Sequence, residues 1–233
     1  FDGSSSAISS SVGTTNITFN SDRDAGQDGS IVLDNVDVTS GGGDIIFGGG
    51  LDPSTITAFG VAGDGSLDNG ISILNGIINA AGGNIILNGT GALNADTAPI
   101  GIMILNSSIY TDSTGNIDIT ATSGTRTNSG AVPGFRLFDN GAVHTTGSGT
   151  LTINATADGS NPGLFNFDSG NTIGHSSMSG DIIINVDSID FTDFGTIETT
   201  GDIYIRPIAG GTFNIGTATG ALDMTAANFG VIL

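Results

Sequence analysis

Ile102-Met103-Ile104-Leu105-Asn106-Ser107-Ser108-Ile109-Tyr110-Thr111-Asp112-Ser113-Thr114-Gly115-Asn116-Ile117-Asp118-Ile119-Thr120-Ala121 reads as three short strands joined by two corners. Ile102, Ile104 and Leu105 form the first strand, and Asn106-Ser107-Ser108 turn the chain. Ile109 starts a second strand, Asp112 to Gly115 turn again, and Asn116-Ile117-Asp118-Ile119 begin the third. Pro99-Ile100-Gly101 lead into the unit, and Thr122 to Ser129 return to its start. Apolar residues two apart fit strands, and the small polar residues between them fit corners.

The same two-part phrase recurs along the chain. Its first part ends an apolar strand with a large apolar residue and then Asp or Asn: Leu33-Asp34-Asn35, Leu74-Asn75, Leu105-Asn106, Phe138-Asp139 and Phe167-Asp168. Its second part is Gly, usually Asp or Asn, and an alternating strand: Gly43-Asp44-Ile45, Gly83-Asn84-Ile85, Gly115-Asn116-Ile117, Gly149-Thr150-Leu151, Gly180-Asp181-Ile182 and Gly201-Asp202-Ile203. A repeat of a few tens of residues signals a solenoid, propeller or array. Stacking three-sided units places Ile over Ile and pairs each strand with its counterpart one coil away. The expected fold is therefore all-β, a right-handed parallel β-helix (β-solenoid) of about seven or eight coils, roughly 35–40 Å long at the strand spacing. Residues 1–233 form one domain, because no linker interrupts the repeat.

Two polar columns follow from that stacking. Asp34, Asn75, Asn106, Asp139 and Asp168 lie where the first strand ends, and Asp44, Asn84, Asn116, Asp181 and Asp202 where another begins. Such residues can form ladders that satisfy backbone groups at a corner. A line of carboxylates binding Ca²⁺ is the functional alternative, although neither an EF-hand loop nor a calcium-roll nonapeptide is present. Pro99, Pro133 and Pro162 precede the first strand of successive units and mark register. The segments Leu51–Asp68, Thr122–Ala131 and Ala157–Asn161 vary most in length and are nominated as a face that could carry function.

Composition agrees with this fold and excludes several activities. Gly numbers 39, while Lys is absent and the only basic side chains besides His are Arg23, Arg126, Arg136 and Arg206. The net charge of −19 argues against nucleic acid or an anionic membrane as partner, since phosphate contacts need clustered Lys and Arg. No Cys is available for disulfide or thiol chemistry. No apolar run is long enough to span a bilayer, so no membrane insertion is expected. The chain begins at Phe1 rather than Met and reads as processed or cut from something longer.

Motifs for catalysis are sparse. His144 and His175 lie on polar stretches without ligand spacing, and there is no GxSxG elbow or P-loop. The best local acidic cluster is Asp187, Asp190 and Asp193, with Arg206 in the following coil. It is the candidate for a polysaccharide lyase or hydrolase site, which needs two or three convergent carboxylates on one strand face, or a positively charged basic residue to stabilise an enolate-like intermediate. The same three Asp are the candidate metal ligands; no other cofactor is expected. Their alternative role is as solvated strand and corner residues. Sequons stand at Asn16, Asn88, Asn106 and Asn154, as a chain rich in Asn, Ser and Thr produces by chance.

The stretch Gly201-Asp202-Ile203-Tyr204-Ile205-Arg206-Pro207, followed by Gly211-Thr212-Phe213-Asn214-Ile215-Gly216 and Gly220-Ala221-Leu222-Asp223-Met224, resembles the repeats of filamentous-haemagglutinin-like bacterial surface proteins. The motif-level likeness covers roughly the last thirty residues, and the rest matches in composition and rhythm. The resemblance implies export across the outer membrane, often by two-partner secretion, and service at the cell surface as an adhesin, matrix component or stalk. The apolar end Asn228-Phe229-Gly230-Val231-Ile232-Leu233 and the Ser-rich start read as uncapped, predicting end-to-end self-association or continuation in a longer chain. The expected function is a non-enzymatic, secreted structural or adhesive shaft or fibre. A host-cell, matrix or glycan surface is the expected external partner. A polysaccharide-active enzyme and a Ca²⁺-rigidified spacer are the alternatives.

Overall fold

A computed structural model describes residues 6–10, 13–24, 28–63, 65, 67–127, 132–157, 163–166, 170–190, 195–208, 213–215 and 222–224. Among them there is no helix, and the strands stack as a parallel β-solenoid. The first side is built from Ile31–Asp34, Ile71–Leu74, Ile102–Leu105, Phe135–Phe138, Leu164–Asn166 and Ile189–Asp190. The second is built from Ser6–Ser9, Val36–Thr39, Ile77–Asn79, Ser108–Thr111, Ala142–Thr145, Thr172–Gly174 and Thr196–Glu198. The third is built from Ile17–Ser21, Ile45–Gly49, Ile85–Thr90, Ile117–Thr122, Leu151–Thr156, Ile182–Val186 and Ile203–Pro207.

Five turns separate Ile31–Asp34 from Ile189–Asp190, a rise of about 24 Å at the strand spacing. The first side thus stacks six strands and the other two stack seven each, slightly short of the seven or eight coils expected. The tail accounts for part of the difference: Phe213–Ile215 and Leu222–Met224 pair with each other in a separate two-stranded sheet and add nothing to the three sides.

Register is kept by burial. On the third side Ile17, Ile45, Ile85, Ile117, Leu151, Ile182 and Ile203 stand in one column. The five central members are fully buried. Slipping one strand by a residue would turn its whole apolar set outward. Each such side chain contributes about 1.5–3 kcal/mol on burial. Phe19 stacks on Phe47 at 4.6 Å and caps this column's neighbour at one end. Between the second and third sides, buried hydroxyls hold the carbonyls of corner glycines: Thr111 Oγ1 donates to Gly83 O at 2.7 Å, Thr145 Oγ1 to Gly149 O at 3.1 Å and Thr199 Oγ1 to Gly180 O at 2.7 Å.

Candidate functional site

At the corner from first to second side, Asn35, Asn75, Asn106 and Asp139 take left-handed backbone with φ of 55°, 54°, 45° and 53°. Asn and Asp tolerate this region better than other residues with a Cβ. The column expected from sequence began at Asp34. Strand pairing instead sets Asp34 opposite Leu74, so the corner member of that coil is Asn35. The difference is physical: the fourth strand position still points outward, and the left-handed turn comes one residue later. Asp34 nevertheless joins the side-chain chain. Its Oδ1 accepts from Asn35 Nδ2 at 2.9 Å and from Asn75 Nδ2 at 3.0 Å, and Asn75 Oδ1 accepts from Asn106 Nδ2 at 2.9 Å. Asp168 lies outside the described residues.

The other column bonds differently. The N–H of Asp44 donates to Asn16 Oδ1 at 2.9 Å, that of Asn84 to Asp44 Oδ1 at 2.8 Å and that of Asn116 to Asn84 Oδ1 at 3.0 Å. Thr150 N–H then donates to Asn116 Oδ1 at 2.8 Å, and Asp202 N–H to Asp181 Oδ1 at 3.0 Å. From Asn16 to Thr150, and again from Asp181 to Asp202, the side chain of one coil thus holds the backbone of the next. Of the sequon asparagines, Asn16 accepts the Asp44 N–H, Asn106 and Asn154 bond to the side chains of Asn75 and Asn185 in neighbouring coils, and Asn88 Nδ2 holds Pro53 O at 3.0 Å.

Of the acidic cluster, the side chain that the described residues include is that of Asp187. Asp187 is committed to backbone: its Oδ2 accepts the Ala157 N–H and its Oδ1 the Ser188 N–H, each at 2.8 Å. Asp190 ends a first-side strand, its Cα partner being Phe165. Asp193 lies outside the described residues. Arg206 pairs in register with Asn185 on the third side and lies over the Tyr204 ring at 4.8 Å. Among the described residues no group of three or more His, Cys, Asp or Glu could hold a metal ion. No helix there is long and apolar enough to cross a membrane.

Two features escaped the sequence reading. On the outer face of the second side, Tyr110 stacks on His144 at 5.4 Å, and His144 on His175 at 5.3 Å. Asn79 Nδ2 donates to Tyr110 Oη at 3.1 Å. His144 Nδ1 is buried without a partner, and burial, together with the neighbouring His175 ring, holds the His144 pKa down at about 4. The second feature is the outward ridge Leu74, Leu105 and Phe138, each half-buried one residue before the corner column. Arg136 lies 4.7 Å above the Phe138 ring. Chain separations near thirty were available as a signal for both, but only strand pairing says which residues share an outer column.

Beside the corner column runs a groove of about 300 Å³, lined by Asp37, Asn75, Ile77, Asn106, Ser108 and Asn140 with Gly76 and Ser107 at its floor. It crosses four successive coils and follows the solenoid axis. Asp37, one of the lining residues, accepts the Ile77 N–H through its Oδ1 at 2.9 Å. Fold and groove together define a parallel β-solenoid whose surface relief follows its own repeat. No family model, no curated protein and no solved structure matches the chain.

Proposed function

We propose that this chain is a non-enzymatic structural or adhesive protein of the cell exterior, forming part of a β-helical shaft or fibre. The observation that carries the reading is the unbroken register of the third side, seven strands deep, with side chains of one coil bonded to the backbone of the next. Such an architecture gains length by repetition, since each coil contacts only its neighbours. Commitment of Asp34, Asp44, Asp181 and Asp187 to internal hydrogen bonds supports this over a hydrolytic or eliminative role, which needs carboxylates available to substrate. The acidic charge suits a surface kept dispersed by self-repulsion. The resemblance of the tail to filamentous-haemagglutinin-like repeats points the same way, towards a secreted bacterial protein that either continues in a longer chain or associates end to end.

Electron microscopy of the native secreted material, with power spectra of any rods, tests the proposal. Rods or shafts with a layer repeat of about 4.8 Å along their axis are the expected outcome. Compact particles, or release of reducing ends from a panel of glycans by the intact chain, would overturn it.

A further inference from the structure

We infer that the corner groove lined by Asp37, Asn75, Ile77, Asn106, Ser108 and Asn140 binds a neutral, extended oligosaccharide lying along the solenoid axis. The inference rests on the adhesive reading above and names the partner chemistry for it. The first argument is hydrogen-bonding capacity. An Asn amide offers two N–H donors and two acceptor positions. Asn75 spends one donor on Asp34 and one acceptor on Asn106, and Asn106 spends one donor on Asn75. Both side chains are exposed, which leaves their remaining donor and acceptor positions open to a ligand on the two central coils of the groove. A row of paired donors and acceptors is what vicinal hydroxyls, themselves donors and acceptors, can satisfy.

The second argument is spacing. The row repeats at one coil, about 4.8 Å, and the groove spans four coils. A pyranose ring advances an extended β-linked chain by close to one such step. One sugar can therefore meet one coil, and two successive coils each present it an Asn amide, Asn75 and Asn106. The third argument is shape: Ile77 is 43 % exposed beside the polar row and offers an apolar patch to the C–H face of a ring. Ligand sites of this kind combine apolar wall with a few placed polar groups. The fourth is charge. Asp37 lines the groove, Asp34 and Asp139 border the same corner, and no Arg or Lys lines it. Uronate and sulfated chains are repelled by that field, whereas neutral chains are indifferent to it.

Isothermal titration of the intact chain with a set of neutral β-linked hexasaccharides, and with hexagalacturonate and the linkage-matched β-linked hexamannuronate as acidic controls, decides the matter. At least one neutral hexasaccharide should bind with Kd of about 1 mM or tighter, and neither acidic control should. Ser108→Arg, which fills the groove from an outward strand position, and Ile77→Ser, which removes the apolar patch, should each weaken binding about tenfold or more. Circular dichroism must show both variants folded, and Tyr204→Ser, on another side, should leave binding unchanged. Absence of binding by every neutral hexasaccharide overturns the inference, as does equal binding of either acidic control. Binding that both groove variants retain also overturns it. In those cases adhesion of the intact chain to cell or matrix surfaces, measured separately, still judges the adhesive reading on its own.

Discussion

The two corners that flank the second side solve one problem with opposite chemistry. Both must turn the chain sharply while every coil stays in register with the next. At the first corner the solution is a side chain: Asn35, Asn75, Asn106 and Asp139 accept left-handed backbone, the amides of Asn75 and Asn106 bond to the coil before, and that of Asn35 bonds to its neighbour Asp34. At the second corner it is the lack of one. A Cβ on Gly115 would lie 2.3 Å from Gly83 O, and one on Gly149 would lie 1.8 Å from Gly115 O. Here backbone passes directly over backbone, and the Asx residue after Gly43, Gly83 and Gly115 serves to hold the next coil's N–H. The Asx position of the first corner is thus limited by dihedral preference and the glycine before the third side by space. Left-handed backbone also occurs in the second corner at Ala81 and Ser113, and a Cβ on Gly76 in the first would lie 2.3 Å from Val36 O. Space is the less forgiving constraint, because packed backbone cannot relax away.

That contrast can be broken most directly by Gly115→Ala. Its methyl would also meet Thr111 Oγ1 at 2.5 Å, a hydroxyl already held by Gly83 O. A loss of about 3 kcal/mol or more is expected in urea denaturation, at the upper end of overpacking effects. A loss under about 1 kcal/mol would show that the corner is loose and that its glycines serve some other purpose.

At the first corner Asn106→Ala should cost about 2 kcal/mol, combining left-handed strain with a lost side-chain bond. Asn106→Gly should recover about 1 kcal/mol of that, since glycine enters the region freely. Equal losses for the two would mean that the amide bonds, not the dihedral, hold this corner.

The face between the corners adds a pH-dependent term. His144 is neutral in the fold, with a pKa near 4 against 6.5 for a free imidazole. The unfolded chain therefore binds more protons between those values. Stability is complete above about pH 6.5 and falls as pH drops toward 4. Allowing for solvent screening of a half-buried ring, the loss should be about 1–2 kcal/mol. Urea midpoints at pH 7 and pH 4.5 should differ more for the native chain than for His144→Gln; an identical difference would remove His144 as the cause.

The smallest effect is the most discriminating. Asn84 has ordinary backbone, so Asn84→Ala should cost about 1 kcal/mol for its bond to the Asn116 N–H, and Asn84→Gly about 0.5–1 kcal/mol more through chain entropy. Ala is thus better than Gly at the second corner's Asx position and worse at the first. The same order at both positions would refute the distinction drawn between them.

Much of this was legible in the residues. Alternation in Ile117-Asp118-Ile119 and its recurrence at Ile85, Leu151 and Ile182 announce strands that bury the same face, and identical spacing from Gly to strand announces their register. The Asx columns were also visible, down to the error at Asp34. A one-residue ambiguity between Asp34 and Asn35 cannot be resolved along the chain, since both are Asx and only pairing with Leu74 and Asn75 separates them. The acidic cluster was legible as residues but not as geometry: nothing along the chain says that Asp187 is taken up by the N–H groups of Ala157 and Ser188.

The amino-acid sequence by itself determined the all-β class, the repeat, the inward Ile, Leu, Val and Phe stack and the corners' polar character. These follow from periodicity and local backbone preference, which act between residues close in the chain. Only the tertiary structure decided which outward residues from different coils meet. Leu74, Leu105 and Phe138 form a ridge, Tyr110, His144 and His175 form a stack, and Asn75 and Asn106 flank a groove, each across about thirty residues. An outward side chain has no burial pattern to declare its neighbour. Its contacts are set by the stacking of whole coils, and that is a property of the folded solenoid alone.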